Sequence, residues 1–586
     1  MKSMLQFALS AALVVNQGLQ EAAAAAAGAA IASSLPVPSI HVQATTLAGL
    51  PSDQRFIDAE GRERLFRGVN VVYKDPPWLP TSPHFNANSS WVVDDAKLLA
   101  SMGFNLIRLG VMWPGVLPQN AEAINATYIA QVKQLIAIAA AEGLYTIIEP
   151  HQDELNPRFC GEGAPNWWVL KHTSVADFPV PVQQQPFPIN PSRPCPGLIP
   201  EACPGVEFPG RQLCDLNSSF SYIWTHAGAK AYQTLWENAE DFATFWKIAA
   251  REFHGLPGVI GGELWNEPFP GDVFSQPSLR DNQHADHVNL SPFYTNVTQA
   301  IREVVPARED FAVAFEPTWP VGNQDLHPDS VLPSTSGFES LPERNAIYAF
   351  HWYVPPADSN LSRYLNDRVT DAQRLQAAPF ASEWNFGAQG DLVSDIERFG
   401  DTIMEFESRR IAYTGWQYKT FQAALPDGTC TGCGSAFFNE DGSMKHGTFQ
   451  ALSLLPFAQA VAGRVVSISN TPVQSANWAR KFVLKYVRNP CFSAAPTAPT
   501  EIVISSAWLP KEELNVDVVG CSCKVAVAME TMPGASLAAG VVYKAWTRVY
   551  IRHLGPSGNC SSSASTEATE LVTVTIQAGK PILVVS

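Results

Sequence analysis

Two short stretches each carry a glutamate of the kind that cleaving a glycosidic bond would need. Glu267 lies in Glu263-Leu264-Trp265-Asn266-Glu267-Pro268, and Glu383 lies in Ala381-Ser382-Glu383-Trp384. Hydrolysis with retention takes two carboxyl groups roughly 5–5.5 Å apart across the anomeric carbon. One attacks, while the other protonates the departing oxygen and later activates water. Alone, an Asn-Glu-Pro tripeptide is also read as a surface or N-capping glutamate, so the pair gains its weight from its surroundings. Other chemistries find less support. His151 with Asp153, and His284 with His287, are scattered donors without HExxH or paired CxxC spacing. Gly261-Gly262 lacks the neighbours of a phosphate loop. No metal and no cofactor is expected.

A carboxylate reaches an active-site mouth from the C-terminal end of a barrel strand, where the βα loops open. Apolar, strand-like runs recur at Gly68–Val72, Asn105–Val111, Leu144–Glu149, Val259–Trp265, Phe311–Glu316, Ile347–Trp352, Phe380–Glu383 and Thr414–Tyr418. Their unbroken Val, Ile, Leu and Phe character suits parallel strands covered on both faces. Between them, Tyr128–Glu142 aligns Ile129, Val132, Leu135 and Ile136 on one helical face. Tyr232–Phe253 does the same with Leu235, Trp236, Phe242, Phe245 and Trp246. The alternation predicts an α/β fold, a (β/α)8 TIM barrel over 50–465, with Glu267 after its fourth strand and Glu383 at its seventh. Phe56–Arg67 reads as a hairpin turning at Glu60-Gly61. A Pro-, Cys- and aromatic-rich insertion, 151–226, follows the third strand and is expected at the mouth. Near Thr471 the pattern changes to short alternating strands at Phe482–Val487, Glu501–Ser505, Asn515–Val519, Lys524–Met529, Val541–Arg552 and Leu571–Gln577. These predict a C-terminal all-β sandwich over 472–586.

At 586 residues and 46% hydrophobic content, the chain exceeds one compact domain and can bury a large core. Its formal charge of −16 repels nucleic acid, so no nucleic-acid partner is expected. Lys2, the apolar run Met4–Val15 and the small-residue tract Glu21–Ala32 read as a signal peptide and Ala-rich leader over 1–32. The ten cysteines suit an oxidising compartment. Cys160, Cys195, Cys203 and Cys214 would staple the insertion, Cys430 and Cys433 would form a short bridge, and Cys491, Cys521, Cys523 and Cys560 would bridge the C-terminal region. Sequons at Asn88, Asn125, Asn217, Asn289, Asn296, Asn360 and Asn559 fit the same picture. A glycoprotein secreted to the extracellular space, or held in a lysosome-like compartment, is expected.

Arg108 in Asn105-Leu106-Ile107-Arg108-Leu109, His151 after Pro150, Asn266-Glu267, His351-Trp352-Tyr353, Glu383 and Trp416 follow one another in strand order. On these residues the chain resembles glycoside hydrolase family 5 from Phe56 to Gly463. The resemblance implies that Glu383 is the nucleophile and Glu267 the acid/base. Arg108 and Tyr353 would hold the nucleophile ionised. Asn266 would bind the sugar 2-hydroxyl, and Trp416 would lie beneath the sugar ring. His151 and His351 would bind hydroxyls or orient the carboxyls. Within the family, His151-Gln152-Asp153, Gly163-Ala164-Pro165-Asn166-Trp167-Trp168 and Phe457–Gly463 resemble the endoglycoceramidases and their glycosylceramidase-like relatives. Lys74 matches a sugar-contacting lysine of that branch, and Asp153 joins it as a substrate-binding candidate. Cleavage between glycan and ceramide of a glycosphingolipid is thereby implied, with peripheral membrane contact. An apolar slot for ceramide could draw on Trp78, Trp167, Trp168 and Phe269, although the same side chains could simply pack the insertion on the barrel. The pattern departs at Glu149, where the branch has Asp, and in the cysteine-rich insertion. An endo-β-1,4-glucanase or mannanase, a glucosylceramidase-type β-glucosidase, and a lectin-like binder on a decayed barrel stand as alternatives.

Overall fold

The computed structural model describes residues 37–44, 53–173 (without 81 and 160), 226–308, 311–319, 335–354, 359–385, 392–421, 437–439, 442–445, 454–472, 479–488, 498–520, 524–532, 535–536, 542–543, 545–554 and 570–578. Three short strands open it: β1 (Ile40–Ala44), β2 (Gln54–Asp58) and β3 (Glu63–Arg64). The eight apolar runs follow as β4 (Arg67–Val71), β5 (Leu106–Gly110), β6 (Tyr145–Glu149), β7 (Val259–Glu263), β8 (Ala312–Phe315), β9 (Ala346–Trp352), β10 (Ala378–Trp384) and β11 (Ala412–Gly415). Strands such as β5 and β6 are buried along their whole length, which only a sheet covered on both faces allows. They pair in parallel and close into a barrel, β11 returning to β4. All eight C-terminal ends therefore meet at one mouth. Gly261 is required by this closure. A Cβ there would sit 1.9 Å from the Ala312 carbonyl oxygen on β8, so the glycine serves strand packing.

Helices fill the outer layer. Ala126–Ala141 is capped by Asn125, whose side chain accepts from the Tyr128 N–H. The single helix expected over Tyr232–Phe253 is two, His226–Glu237 and Glu240–Phe253. Glu240 and Asp241 favour the new N-terminus, where negative charge meets the helix dipole. The predicted apolar faces are buried in both, so the break does not change what is covered.

The remaining strands are β12 (Phe457–Val461), β13 (Arg464–Asn470), β14 (Lys481–Arg488), β15 (Thr500–Ser505), β16 (Leu514–Val519), β17 (Lys524–Met532), β18 (Ala535–Ser536), β19 (Val542–Tyr543), β20 (Trp546–Leu554) and β21 (Glu570–Ala578). The run expected as one strand over Val541–Arg552 is divided between β19 and β20. Seven strands pair in the order β1-β2-β3-β12-β15-β20-β17, and four in the order β13-β14-β21-β16. Phe457, Ile502, Val549 and Ile551 of one sheet share a core with Phe482, Leu484, Val574 and Ile576 of the other. The result is a sandwich, but one not confined to 472–586. It takes in β12 and β13, and the hairpin from the N-terminal side of the barrel. Trp546 seats it against the barrel, with its ring 3.3 Å from where a Cβ on Gly103 would stand.

Arg67 closes the bottom of the barrel. Its fully buried guanidinium donates to Glu407 Oε1 (2.6 Å through Nη2), to the Tyr413 hydroxyl (2.9 Å) and to the Leu455 carbonyl (3.2 Å). Arg67→Met should destabilise the fold by about 3–5 kcal/mol, because it strands the buried Glu407 carboxylate. A denaturant titration checks this.

Several expectations fall outside the described residues: the leader, all ten cysteines, Asn217, Asn559 and the insertion from 174 to 225. Asn289 is a sequon only on paper. It is buried, and its Nδ2 donates to Gln233 Oε1 (3.0 Å) and the Pro270 carbonyl (2.7 Å). No described helix is long and apolar enough to cross a membrane.

Candidate active site

The loop after β7 delivers Glu267 with φ of +40°, a conformation that side-chain-bearing residues seldom adopt. Two neighbours hold it there. Gln152 Nε2 donates to the carbonyls of Asn266 (2.8 Å) and Glu267 (3.0 Å), and the Glu267 N–H donates to Glu316 Oε2 (2.9 Å). Glu383 sits on β10 where the register against β9 shifts, a bulge that turns its side chain to the mouth. A carboxyl oxygen of each glutamate and a ring nitrogen of His351 lie within 4.8 Å of one another.

The two carboxyls have opposite surroundings. Glu383 Oε1 accepts from Arg108 Nη1 (2.8 Å), a guanidinium donor, and Oε2 accepts from the Tyr353 hydroxyl (2.8 Å). Among the described residues, no guanidinium hydrogen-bonds Glu267. Burial and the Asp153 charge push its pKa up to about 8, against the pull of His151, Lys74 and Arg108. His351 Nδ1 lies 2.7 Å from Glu267 Oε1. Burial drives the His351 pKa down to about 3 despite Glu383, so the ring is neutral.

Arg108 on β5 organises the floor. It pairs with Glu263 through two bonds (2.7 and 3.1 Å), and also donates to Asn70 Oδ1 (3.0 Å) and Asn266 Oδ1 (2.8 Å). Burial raises Glu263 to about 7 even so. Asn266 spends one Nδ2 bond on the Gln152 carbonyl (2.9 Å). Glu149, the departure noted above, reaches His151 Nδ1 at 3.0 Å and lies 3.6 Å from Arg108. Burial alone would lower the His151 pKa, but the Glu149 carboxylate lifts it to about 10.

Beside this centre the His151 ring stacks on Trp416, centroids 4.9 Å apart. Lys74 lies over the same indole with Nζ 4.6 Å from its centroid, and forms ion pairs with Asp153 and with Glu162 (3.3 Å). All ten residues singled out in the sequence therefore gather at the mouth. Among the described residues, three groups of side chains bring metal-binding atoms within 4.8 Å: His151–Asp153–Glu162, Glu263–Glu316–His351 and Glu267–His351–Glu383. In each a protein cation already sits on a carboxylate, Lys74 in the first and Arg108 in the others.

Of the two readings of the aromatic side chains, packing holds for those that are fully buried. Trp168 is buried against Trp113, and Phe269 against Tyr232. Trp167 packs edge-on to Trp113 and donates to the Leu117 carbonyl (2.8 Å). Half-buried Trp78 packs on the same core. Trp167 and Trp168 thus fasten the described start of the insertion to Trp113. The aromatic wall near the carboxyls is instead Trp319, edge-on to His351 and Tyr353. Sequence reasoning also passed over Gln152, Glu263 and Glu316 as functional positions. Glu316 ends a predicted strand, the same signal that pointed to Glu383.

A family model described as cellulase, glycosyl hydrolase family 5, matches residues 58–180 and 216–422. An endoglycoceramidase of Hydra vulgaris is 34% identical over 429 residues, covering 71% of this chain and 74% of that protein. One from Cyanea nozakii is 31% identical, covering 71% and 77%. The lactosyl-enzyme intermediate of endo-glycoceramidase II from Rhodococcus sp. shares the fold, with a TM-score of 0.59 at 20% identity, over 89% of this chain and 99% of that one. With more than half of its residues matched by the family model, the chain belongs to glycosyl hydrolase family 5.

Proposed function

We propose that the chain hydrolyses the β-glycosidic bond between oligosaccharide and ceramide in glycosphingolipids, with retention of configuration. The observation that carries the chemistry is the contrast between the two glutamates: Glu383 bonded to Arg108 and Tyr353, and Glu267 raised to about 8 beside it. Glu383 attacks the anomeric carbon while Glu267 gives its proton to the departing ceramide oxygen. Water then donates a proton to Glu267 as it displaces Glu383 from the sugar. The substrate class is supported by the names of the Hydra and Cyanea relatives, which the chain covers over about three quarters of their lengths.

Two expectations follow for this site. Since Glu267 must be protonated in the first step, kcat/KM should fall as pH rises through about 8. A pH–rate profile on a glycolipid checks the limb. Tyr353→Phe removes a bond to a charged group, about 1.5–3 kcal/mol, and should lower kcat/KM roughly tenfold to a hundredfold while the protein stays folded.

Fluorescent lactosylceramide, glucosylceramide and soluble β-glucan offered in parallel test the substrate. Release of intact lactose from the first, with little action on the others, is expected; preferential cleavage of glucosylceramide or glucan would overturn the assignment. A secreted or lysosome-like location and peripheral membrane contact belong to the same proposal. They are supported by the leader-like N-terminal sequence and by the lipid part of the substrate. Recovery of the protein from the cytosol alone would contradict the location, and failure to sediment with glycolipid vesicles would contradict the contact.

A further inference from the structure

We infer that Glu316 is a positioning residue for the acid/base glutamate, anchoring the Glu267 backbone and sharing one proton with the Glu267 carboxyl through the ring of His351. The inference rests on the acid/base role proposed for Glu267. Glu316 follows β8 directly and is almost wholly buried. Its Oε2 accepts from the N–H of Glu267, the residue held at φ of +40°. Its Oε1 faces His351 Nε2 at 3.6 Å, while His351 Nδ1 is 2.7 Å from Glu267 Oε1. One imidazole thus stands between two carboxyl groups.

The contact at Nε2 carries the argument. That nitrogen is buried and makes no hydrogen bond, and buried polar atoms rarely go without one. Glu316 Oε1 lies a few tenths of an ångström beyond bonding range, a gap of the kind that closes when a substrate complex tightens. Among the described residues no Lys or Arg ion-pairs with Glu316, so its charge is best relieved by a proton. Glu263 faces it from β7, Glu267 from the loop beyond, and Arg108 from β5, itself engaged by Glu263. The Tyr294 hydroxyl, from the helix Ser291–Val304, is used by the Glu316 carbonyl (2.8 Å). On the other side, His351 is faced by Glu383 of β10, Glu149 of β6, His151 after it, Arg108 and Tyr353. Burial and the Glu263 and Glu267 charges push the Glu316 carboxyl well above its usual range.

The proton count balances. When Glu267 gives its Oε1 proton to His351 Nδ1, the ring gives its Nε2 proton to Glu316 Oε1. Two bonds to hydrogen break and two form, and the ring is neutral before and after. One proton has moved from Glu267 to Glu316, and the reverse transfer restores the acid. A carboxylate at 316 strengthens the hold of Glu267 on that proton before bond cleavage. It also makes Glu267 a better base toward water afterwards.

Glu316→Gln keeps an acceptor for the Glu267 N–H but cannot bind or release the shared proton. The alkaline limb of kcat/KM should move to lower pH by about one unit, and Glu316→Asp should restore it. The loss should be smaller on a dinitrophenyl lactoside, whose leaving group needs no acid. A uniformly lowered rate with the limb unmoved would mean a purely structural role and overturn the inference. If the Gln variant does not fold, nitrogen NMR of His351 in the wild type decides. Both ring nitrogens should report mixed tautomers where Glu267 titrates, and a single fixed tautomer there would overturn the inference. A wild type that hydrolyses no β-glycoside would instead remove the acid/base reading, and this inference with it.

Discussion

Glu383→Gln is expected to lower kcat on a glycolipid by about four orders of magnitude or more while leaving binding nearly intact. The amide cannot attack the anomeric carbon, so the covalent route is lost. The fold should survive, because Arg108 keeps its two hydrogen bonds to Glu263 and its approach to Glu149. The variant therefore separates chemistry from architecture. Turnover on fluorescent lactosylceramide and calorimetric binding of the same lipid check it, and a loss below tenfold would contradict the nucleophile assignment.

The second large effect belongs to Glu267→Gln. General acid–base catalysis contributes about 10²–10⁴-fold, and the loss should depend on the leaving group. A ceramide oxygen departs only when protonated, so kcat/KM on glycolipid should show the full loss. A dinitrophenyl lactoside departs unaided, so its first step should be nearly spared and the enzyme should stall as glycosyl-enzyme. Added azide needs no base and should restore turnover on that substrate. Equal losses on both substrates, with no azide effect, would contradict the acid/base role.

Much of this was legible in the linear sequence because barrel strands are buried on both faces. Runs such as Leu106–Gly110 and Tyr145–Glu149 have no polar alternation to confuse them with surface strands. The same burial put Glu267 and Glu383 in view, since charged residues closing such runs stand out. Elsewhere local pattern is blind to tertiary partners. Asn238-Ala239 carries no glycine or proline to announce the break between His226–Glu237 and Glu240–Phe253. The sandwich borrows β1 to β3 from the far end of the chain, a pairing that no window of sequence contains. Trp167 and Trp168 were expected to line a slot or to pack, and only the position of Trp113 decides for packing. Asn289 satisfies the sequon rule, yet Gln233 and Pro270 occupy its amide. Glu316 closes such a run as well, but what it touches, the Glu267 N–H and the His351 ring, is distant in sequence and shows only in the fold.

The most direct trial of the account is to trap the glycosyl-enzyme with a slow fluorosugar substrate and map the labelled peptide by mass spectrometry. The sugar should be found on the peptide containing Ala381-Ser382-Glu383-Trp384, attached to Glu383. Labelling of Glu267 or any other residue, or steady turnover of the reagent with inverted product and no adduct, would contradict it.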